Sequence, residues 1–362
     1  MEWVIPTEWQ DAAAAILTAP QRPVVVLVVG SVDSGKTTFC TWLANEFLRQ
    51  GLGVSVIDAD LGQSDIGLPT TLGVGFPQWP VDHLREVSCE KAYFVGSTSP
   101  VGHLLPVMVG TKRLLDWAIA KGVNGVLVDT DGLVWNGPGI SLKQYQFELL
   151  QPTHVVLLER RRELEHFFRM WNSIQWTRVF RLPVSSAVVG KSPEQRRQYR
   201  EQRFREWLAG CREMTFSIDR LRFRNTWLRQ GWEWTVESVS QRLGMSQREI
   251  LYAEQMGRTL VVLTSNSDFV GRREDHSFSL PEGIRTVRWA SLQEFQQVVV
   301  GLLDSQDELM GVGLVVDLDL SSRILRVLSP PISPAQVRTL VFGSLRLDRN
   351  GTELGILSPR RF

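Results

Sequence analysis

The segment GSVDSGKTT at residues 30–38 constrains the fold more than any other part of the chain. It matches the pattern G-x-x-x-x-G-K-[ST] of a phosphate-binding P-loop, which lies between a buried strand and the first turn of a helix. The apolar run VVVLVV precedes it at 24–29, and the helix-forming run KTTFCTWLANEFLRQG follows it. Both flanks therefore predict a strand, a P-loop and a helix in an α/β fold that binds a nucleoside triphosphate.

The residue types of this loop suit a triphosphate. Gly30 and Gly35 allow the backbone to curl so that N–H groups point inward, and the N-terminus of the next helix adds partial positive charge. Lys36 is expected to reach the β- and γ-phosphates, and the Thr37 hydroxyl to ligate Mg²⁺. The predicted nucleotide-binding residues are Gly30, Ser31, Val32, Asp33, Ser34, Gly35, Lys36, Thr37 and Thr38.

Short apolar runs alternate with longer amphipathic runs from Pro23 to about Arg212. The apolar runs lack strict alternation, so the strands are expected to be buried on both faces, in a mainly parallel sheet covered by helices. This pattern predicts a P-loop NTPase domain with a doubly wound sheet. Strands are predicted at 24–29, 53–58, 125–129, 154–159 and 178–184, and helices at 36–50, 104–121, 142–150, 161–171 and 193–209.

The pattern changes after Arg212, where short strands are bounded by turn residues. This pattern predicts a smaller β-rich domain with one or two helices near 236–257 and 291–303. It also predicts a hairpin turn at Asn350-Gly351. The predicted organisation is a helical lead-in at 1–22, a P-loop domain at 23–211 with a lid helix at 192–209, and the β-rich domain at 212–362.

Composition excludes some classes of protein. The chain has 362 residues, is 43% hydrophobic and carries a net charge of +1, as expected for a globular protein of two domains rather than a polycation. A nucleic-acid site would therefore be a local patch. Residues 159–206 hold 12 Lys or Arg against 6 Glu, and this positive region suits a phosphate-backbone ligand.

The sequence also predicts a cytoplasmic location. The N-terminus has no basic region before its apolar stretch, so it does not resemble a signal peptide. The longest apolar runs are too short to cross a bilayer, which takes about 20 residues. Three scattered cysteines fit a reducing compartment.

A second segment, DADLGQ at 58–63, follows the second predicted strand. Ligands of parallel sheets bind at the carboxyl ends of the strands, and alternation would place Asp58 and Asp60 on the same side. One carboxylate could hold Mg²⁺ through water while the other accepts a proton from a hydroxyl. From these residues alone, a pair of solvated turn carboxylates is an equal alternative.

Together the two segments, with Pro69 six residues after the glutamine, resemble the polynucleotide 5′-hydroxyl kinases. That family includes the RNA kinase subunit of the eukaryotic pre-mRNA cleavage complex and kinases of ribosomal-RNA processing. The resemblance implies transfer of the γ-phosphate of ATP, with Mg²⁺, to the 5′-hydroxyl of RNA or DNA ends. It makes Asp60 the Mg²⁺-linked, base-like aspartate and Asp58 a supporting metal ligand, and it places Asp33 and Gln63 at the substrate.

Two further family elements have counterparts here. The family clasp, T-x-G-aromatic, corresponds to Thr130–Leu133, where leucine replaces the aromatic residue. The resemblance implies that Thr130 and Gly132 bind substrate, with Trp135 substituting for the missing aromatic ring. Asp129, at the end of the same strand, is an alternative metal carboxylate of the kind common in P-loop proteins.

The second element is a basic lid, R-x-x-x-R. Ser192 is predicted as the N-cap and Gln195 as its capping-box partner. Arg196, Arg200 and Arg203 then share one helical face. The spacing alone favours a solvated basic face. The resemblance instead implies that Arg196 and Arg200 are catalytic, closing over the γ-phosphate, and that Arg203 binds substrate.

The resemblance extends through the β-rich C-terminal region, whereas the N-terminal β-domain of eukaryotic members has no counterpart in the 22 residues before the first strand. The expectation is thus a compact, stand-alone monomer that acts on RNA or DNA 5′-hydroxyl ends. A small-molecule kinase or a GTPase is one alternative, although the chain contains no N-K-x-D tetrapeptide for guanine. A nucleotide-binding scaffold with decayed activity is another, because Leu133 departs from the clasp pattern.

Overall fold

The computed structural model describes residues 4–265 and 283–357. Contacts between Cα atoms divide the chain into two compact units, Met1–Phe204 and Arg205–Phe362. In the described ranges, no helix has both the length and the apolar character needed to cross a membrane.

The first unit contains one seven-stranded sheet in the order β4-β3-β2-β5-β1-β6-β7. Strands β2, β5, β1, β6 and β7 are parallel, and an antiparallel pair, β3 and β4, extends the β2 edge. The strands are β1 Val24–Gly30, β2 Val54–Ala59, β3 Thr71–Gly75, β4 Lys91–Phe94, β5 Gly125–Thr130, β6 His154–Glu159 and β7 Arg178–Pro183. The predicted α/β fold with a mainly parallel sheet is confirmed.

Helices cover both faces of this sheet because its central strands are buried and mainly apolar. Strands β1, β2, β5 and β6 are completely buried, and the side chains of each strand divide between two hydrophobic clusters. The helices are α1 Thr7–Leu17, α2 Lys36–Arg49, α3 Leu104–Ala120, α4 Asn136–Leu150, α5 Glu165–Trp171 and α6 Pro193–Ala209.

The N-terminal helix α1 is part of this core. Trp9 packs edge-on against Phe39 of α2 at a centroid distance of 5.0 Å and lies 5.7 Å from Trp42. Its indole N–H donates to the Pro183 carbonyl at 2.8 Å. The lead-in is thus joined to both α2 and the end of β7.

The described part of the second unit consists mainly of two β-sheets, with the helix α7 between strands. One sheet has the order β10-β11-β12-β13, and the other has the order β18-β17-β14-β15-β16-β8 with β9 paired to β17. Its elements are β8 Arg212–Ser217, β9 Arg222–Arg224, β10 Trp232–Glu233, α7 Val236–Leu243, β11 Ile250–Met256, β12 Thr259–Thr264, β13 Thr286–Ala290, β14 Val298–Leu303, β15 Leu309–Asp319, β16 Ile324–Ser329, β17 Thr339–Leu347 and β18 Glu353–Ile356.

Two helix predictions in this unit are wrong in part. The region 236–257 contains α7 and then β11, and the region 291–303 contains a short 3₁₀ turn and then β14. The run VVVGLL of β14 is completely buried between β15 and β17. A short apolar run has no periodicity that separates a buried strand from a buried helix, and cross-strand pairing decided the outcome.

Burial of His154 predicts a pH dependence of stability. Its ring stacks on Phe180, and burial lowers its pKa to about 4, helped by the charges of Arg178 and Arg22. Between pH 6.5 and 4 the unfolded chain binds a proton that the folded chain does not, so stability falls as the pH falls. We expect this residue to remove about 2 kcal/mol at pH 4, because partial solvation reduces the full effect of the shift.

Chemical denaturation of the wild type and of His154→Gln, at pH 7 and at pH 4.5, measures this effect. The free energy of unfolding of the wild type should fall more steeply with acidification than that of the variant. Equal losses in the two proteins would contradict the prediction.

Candidate active site

The P-loop joins β1 to α2 and contains two left-handed residues. Asp33 has a φ of 57° and Gly35 a φ of 80°, and Lys36 is the first residue of α2. At Gly30, the last residue of β1, an added Cβ would lie 2.9 Å from the Leu158 carbonyl oxygen. Only glycine fits such a close approach, and the loop takes the tight curl that a phosphate cradle requires.

Lys36 lies inside this loop. Its side chain is buried, and its Nζ donates to the Ser31 carbonyl at 2.9 Å. Burial raises the pKa of both Asp60 and Asp129, and the charge of Lys36 partly opposes that effect at each carboxyl. Lys36 is therefore the cation of an acidic cluster at the carboxyl edge of the sheet.

Asp129, at the end of β5, contacts the P-loop directly. Thr37 Oγ1 donates to Asp129 Oδ2 at 2.6 Å, and Asp129 is in register with Asp58 on the neighbouring β2. Burial raises the pKa of Asp129 to about 7. Its Oδ1 is buried, and no residue of the described ranges hydrogen-bonds to it. A buried carboxylate oxygen of this kind, beside a threonine hydroxyl, suits a divalent cation.

Asp58 is instead occupied by the loop after β2. Its Oδ1 accepts from the Asp60 N–H at 3.0 Å. Its Oδ2 accepts from the N–H groups of Asp65 and Ile66 at 2.6 and 3.0 Å, and from the Ser64 hydroxyl at 3.3 Å. Both oxygens therefore stabilise the loop, and the geometry favours this structural role over the metal-binding role that the sequence predicts.

Asp60 lies at the wall of a cavity. Its Oδ1 accepts from the N–H groups of Gly62 and Gln63 at 2.9 and 3.1 Å, which fixes the carboxylate in place. Burial raises its pKa, while Lys36 and the two backbone donors oppose the shift. The carboxylate of Asp60 is thus fixed in position by two backbone donors and has a raised pKa, as suits a proton acceptor.

The cavity opens over the P-loop and has a volume of about 430 Å³. Its lining joins P-loop residues 32–38 to Asp60, Gln63, Lys191 and Tyr199, and every lining residue belongs to the first unit. In the part of the chain that the structure describes, no three or more His, Cys, Asp or Glu side chains are grouped so that they could hold a metal ion. Such an arrangement is not needed for Mg²⁺ at phosphates, which is bound through one or two carboxylates and the substrate.

The predicted clasp residues lie beside the P-loop and differ in accessibility. The hydroxyl of the buried Thr130 donates to the Val28 carbonyl at 2.8 Å and so ties β5 to β1. At Gly132, an added Cβ would lie 2.7 Å from the backbone nitrogen of Val32. Trp135 is about half exposed. Thr130 and Gly132 therefore lie against β1 and the P-loop, and the half-exposed Trp135 has its ring 5.3 Å from that of His166.

The lid helix α6 starts with the predicted capping box. The N–H of Gln195 donates to Ser192 Oγ at 3.1 Å, and the N–H of Ser192 donates to Gln195 Oε1 at 2.7 Å. Arg196 Nη2 lies 2.6 Å from Asp33 Oδ2, and the N–H of Lys191 donates to the same oxygen at 3.1 Å. Asp33 thus holds the start of the lid against the P-loop.

The next two turns of the lid contact the loop after β2. The Tyr199 hydroxyl donates to Asp65 Oδ1 at 2.9 Å, and Arg203 Nη2 donates to the Gly67 carbonyl at 2.6 Å. Arg200 is half-buried on the same helix. The lid therefore connects the P-loop to the loop that carries the D-x-G-Q segment.

Comparison with known proteins places this site in a family. The model of the mRNA cleavage and polyadenylation factor CLP1 P-loop family matches residues 30–210. The polyribonucleotide 5′-hydroxyl-kinase of Methanocaldococcus jannaschii is 31% identical over 98% of this chain and 95% of its own length. The chain belongs to the Clp1 P-loop family. Human Clp1, also named a polyribonucleotide 5′-hydroxyl-kinase, is 26% identical over 89% of this chain and 72% of its own length.

A solved structure agrees with this Clp1 assignment at the level of the fold. The wild-type Clp1p–Pcf11p complex matches with a TM-score of 0.61 over 94% of this chain and 79% of the solved chain, at 12% identity. The predicted resemblance to the polynucleotide 5′-hydroxyl kinases is confirmed.

The sequence did not predict two contacts of this Clp1-family site. Lys143 of α4 is completely buried, with its Nζ 2.8 Å from Asp131 Oδ2, and Asp131 Oδ1 accepts from the Leu133 N–H at 2.8 Å. Arg160 Nη2 donates to the Asp33 carbonyl at 2.7 Å. One sequence signal was available for Lys143: it lies on the face of α4 whose other residues are buried. Its partner Asp131 is twelve residues away, so the helix pattern alone does not identify the ion pair.

Proposed function

We propose that this chain is an ATP-dependent polynucleotide 5′-hydroxyl kinase that transfers the γ-phosphate to the 5′-hydroxyl of RNA or DNA ends. The observation that carries the proposal is the cavity that joins the P-loop to Asp60, Gln63 and the lid. Relatives that match nearly the whole chain bear the name polyribonucleotide 5′-hydroxyl-kinase, which supports RNA as one acceptor. We also propose that the enzyme acts as a stand-alone monomer, with a cavity that one unit of the chain lines.

The P-loop residues bind the donor. Backbone N–H groups of 31–37 and the N-terminus of α2 bind the phosphates, and Lys36 moves its ammonium from the Ser31 carbonyl to the β- and γ-phosphates. Because this ammonium is buried in a cavity of low dielectric, it stabilises developing negative charge better than it would in water.

The residues around Thr37 fit Mg²⁺. Thr37 and Asp129 would hold it, with Asp60 nearby, because Asp129 Oδ1 is buried without a hydrogen-bond partner in the described ranges. Asp58 is the least suited of the proposed ligands, since four donors already occupy its carboxylate. When bound, the ion neutralises charge on the β- and γ-phosphates.

Asp60 acts on the acceptor. Its carboxylate orients the 5′-hydroxyl and takes its proton as the new O5′–P bond forms and the bond from the γ-phosphorus to the β–γ bridging oxygen breaks. The raised pKa of Asp60, which results from its burial, makes it a better proton acceptor than a solvated aspartate. Gln63 lies beside it on the cavity wall.

The lid supplies positive charge. Arg196 is held at the P-loop by Asp33, from which it can reach the γ-phosphate, and Arg200 follows one turn later. An arginine over the transferring group contributes roughly 10³–10⁵ in rate in related chemistry. Arg203 and the exposed ring of Trp135 are proposed to contact the acceptor strand, whereas Thr130 and Gly132 contribute by positioning the P-loop.

The test is transfer of γ-labelled phosphate from ATP to matched RNA and DNA oligonucleotides that carry a 5′-hydroxyl, with Asp60→Asn alongside. We expect label at the oligonucleotide 5′ end for the wild type. The variant should lose transfer while ATP binding remains, because its neutral amide cannot accept the proton. ATP binding without labelling of either strand would favour the scaffold or small-molecule alternatives. Retained turnover in the variant would exclude the role assigned to Asp60.

A further inference from the structure

Three consecutive arginines, Arg160–Arg162, follow β6 at the same edge of the sheet as the P-loop, because β6 runs parallel to β1 beside it. Arg160 Nη2 donates to the Asp33 carbonyl at 2.7 Å. Asp33 lines the same cavity as Asp60 and Gln63. The segment Arg160–Arg162, called the arginine loop below, therefore begins at the rim of the candidate active site and lies outside both the lid and the clasp.

Hydrogen bonds fix the backbone of the arginine loop. The N–H groups of Arg160 and Arg161 donate to the two oxygens of the Glu163 carboxylate at 2.8 and 2.5 Å. Arg162 has a left-handed φ of 40°, and its carbonyl accepts from the Glu165 N–H at 3.1 Å. A backbone that is already fixed loses less conformational entropy when a ligand binds to its side chains.

The acidic residues on either side of the arginine loop are engaged by another arginine. Arg181 donates to Glu159 Oε1 at 2.6 Å and to Glu165 Oε2 at 2.8 Å. The side chains of Arg161 and Arg162 are exposed, and among the described residues neither forms a hydrogen bond or an ion pair. Two guanidinium groups are therefore available to an anionic ligand at the rim of the site.

An exposed aromatic ring is connected to the arginine loop through α5. His166, four residues after Arg162, has its ring 5.3 Å from that of the half-exposed Trp135. Cationic side chains together with an exposed aromatic ring suit a single nucleic-acid strand, whose phosphates bind the cations and whose bases stack. We infer that the arginine loop binds the phosphodiester groups of the acceptor strand beyond its 5′ nucleoside, an inference that rests on the proposed function.

This chemistry predicts how the site selects its ligand. Each phosphodiester group carries one negative charge whatever its base, so the contacts of Arg161 and Arg162 raise affinity without reading sequence. The affinity they contribute falls as the salt concentration rises, because binding releases counterions from the strand. An acidic peptide is also a polyanion, but it has no bases to stack on Trp135.

Binding of a single-stranded RNA with a free 5′-hydroxyl and a 3′ fluorophore to the full chain tests this inference, with anisotropy measured over a range of salt concentrations. The double variant Arg161→Gln/Arg162→Gln should bind the strand about tenfold more weakly at low salt. The slope of log affinity against log salt should become shallower by about 1.4, because two phosphate contacts of about 0.7 each are lost. ATP affinity should not change, because neither residue lines the cavity.

Two further variants separate a local contact from net charge and from folding. Arg49→Gln/Lys121→Gln removes the same charge from the exposed ends of α2 and α3, away from the P-loop, and should leave strand affinity and salt slope unchanged. Arg161→Lys/Arg162→Lys keeps both positive charges and should keep the wild-type salt slope.

Any one of four outcomes would overturn the inference. These are a wild type that does not bind the strand, an unchanged salt slope in the Arg161→Gln/Arg162→Gln variant, an equal loss of affinity in the Arg49→Gln/Lys121→Gln control, and a shallower slope in the lysine variant. Unlabelled oligoglutamate should compete poorly with the strand. Competition equal to that of unlabelled RNA would assign the arginine loop to an acidic protein partner instead.

The proposed function has a separate readout, which is label transfer to an oligonucleotide. Strand binding that depends on Arg161 and Arg162, without label transfer, would support the arginine loop and contradict the kinase. Label transfer by a protein whose strand affinity and salt slope are unaffected by the glutamine variant would support the kinase and contradict the role of the arginine loop.

Discussion

Replacing Lys36 with alanine is expected to reduce phosphoryl transfer to a 5′-hydroxyl end by at least about 10³-fold. The ammonium is the buried cation of the P-loop and acts where negative charge develops, so no neighbouring group can replace it. Steady-state transfer of labelled γ-phosphate to a saturating oligonucleotide measures the loss. ATP binding should weaken as well, because the ammonium contacts the phosphates in the bound state.

Lys121→Ala is the matched control, since Lys121 is an exposed lysine at the end of α3. It should retain wild-type transfer. Thermal melting shows whether the Lys36 variant is folded. A folded Lys36→Ala protein with more than a tenth of the wild-type rate would contradict the assignment of this P-loop as the donor site.

Replacing Lys143 with methionine is expected to destabilise the protein by about 3–5 kcal/mol, because it leaves the Asp131 carboxylate buried without its cation. For a unit of about 200 residues this corresponds to a decrease in melting temperature on the order of 10 °C. Chemical and thermal denaturation of the purified variant measure the effect.

The double variant Lys143→Met/Asp131→Asn separates the ion pair from simple packing. The side-chain amide oxygen introduced at position 131 can still accept a hydrogen bond from the Leu133 N–H, and no unpaired buried charge remains. We therefore expect it to recover at least half of the lost stability. Equal destabilisation of the single and double variants would show that the volume of Lys143, rather than its charge, is what matters.

The sequence allowed much of the first unit to be predicted because its signals are local. The P-loop pattern lies within eight residues, the central strands are continuous apolar runs, and the capping box of α6 depends on Ser192 and Gln195 alone. The antiparallel strands β3 and β4 were not predicted, nor was the strand at Val298–Leu303. Those segments become strands through pairing with distant partners, which a window of local sequence does not contain.

For the candidate site, local sequence patterns identify the residue types: a P-loop with Lys36 and Thr37, and carboxylates at the ends of two strands. The partners of these residues depend on how the strands are arranged in the sheet. Thr37 meets Asp129 because β5 lies beside β1 in the sheet, although the two residues are 92 positions apart. Asp58, at the same level on β2, is instead bound by its own loop. The residue types follow from the sequence. Which carboxylate keeps an oxygen without a hydrogen-bond partner in the described ranges depends on burial and strand order, and both are properties of the assembled sheet.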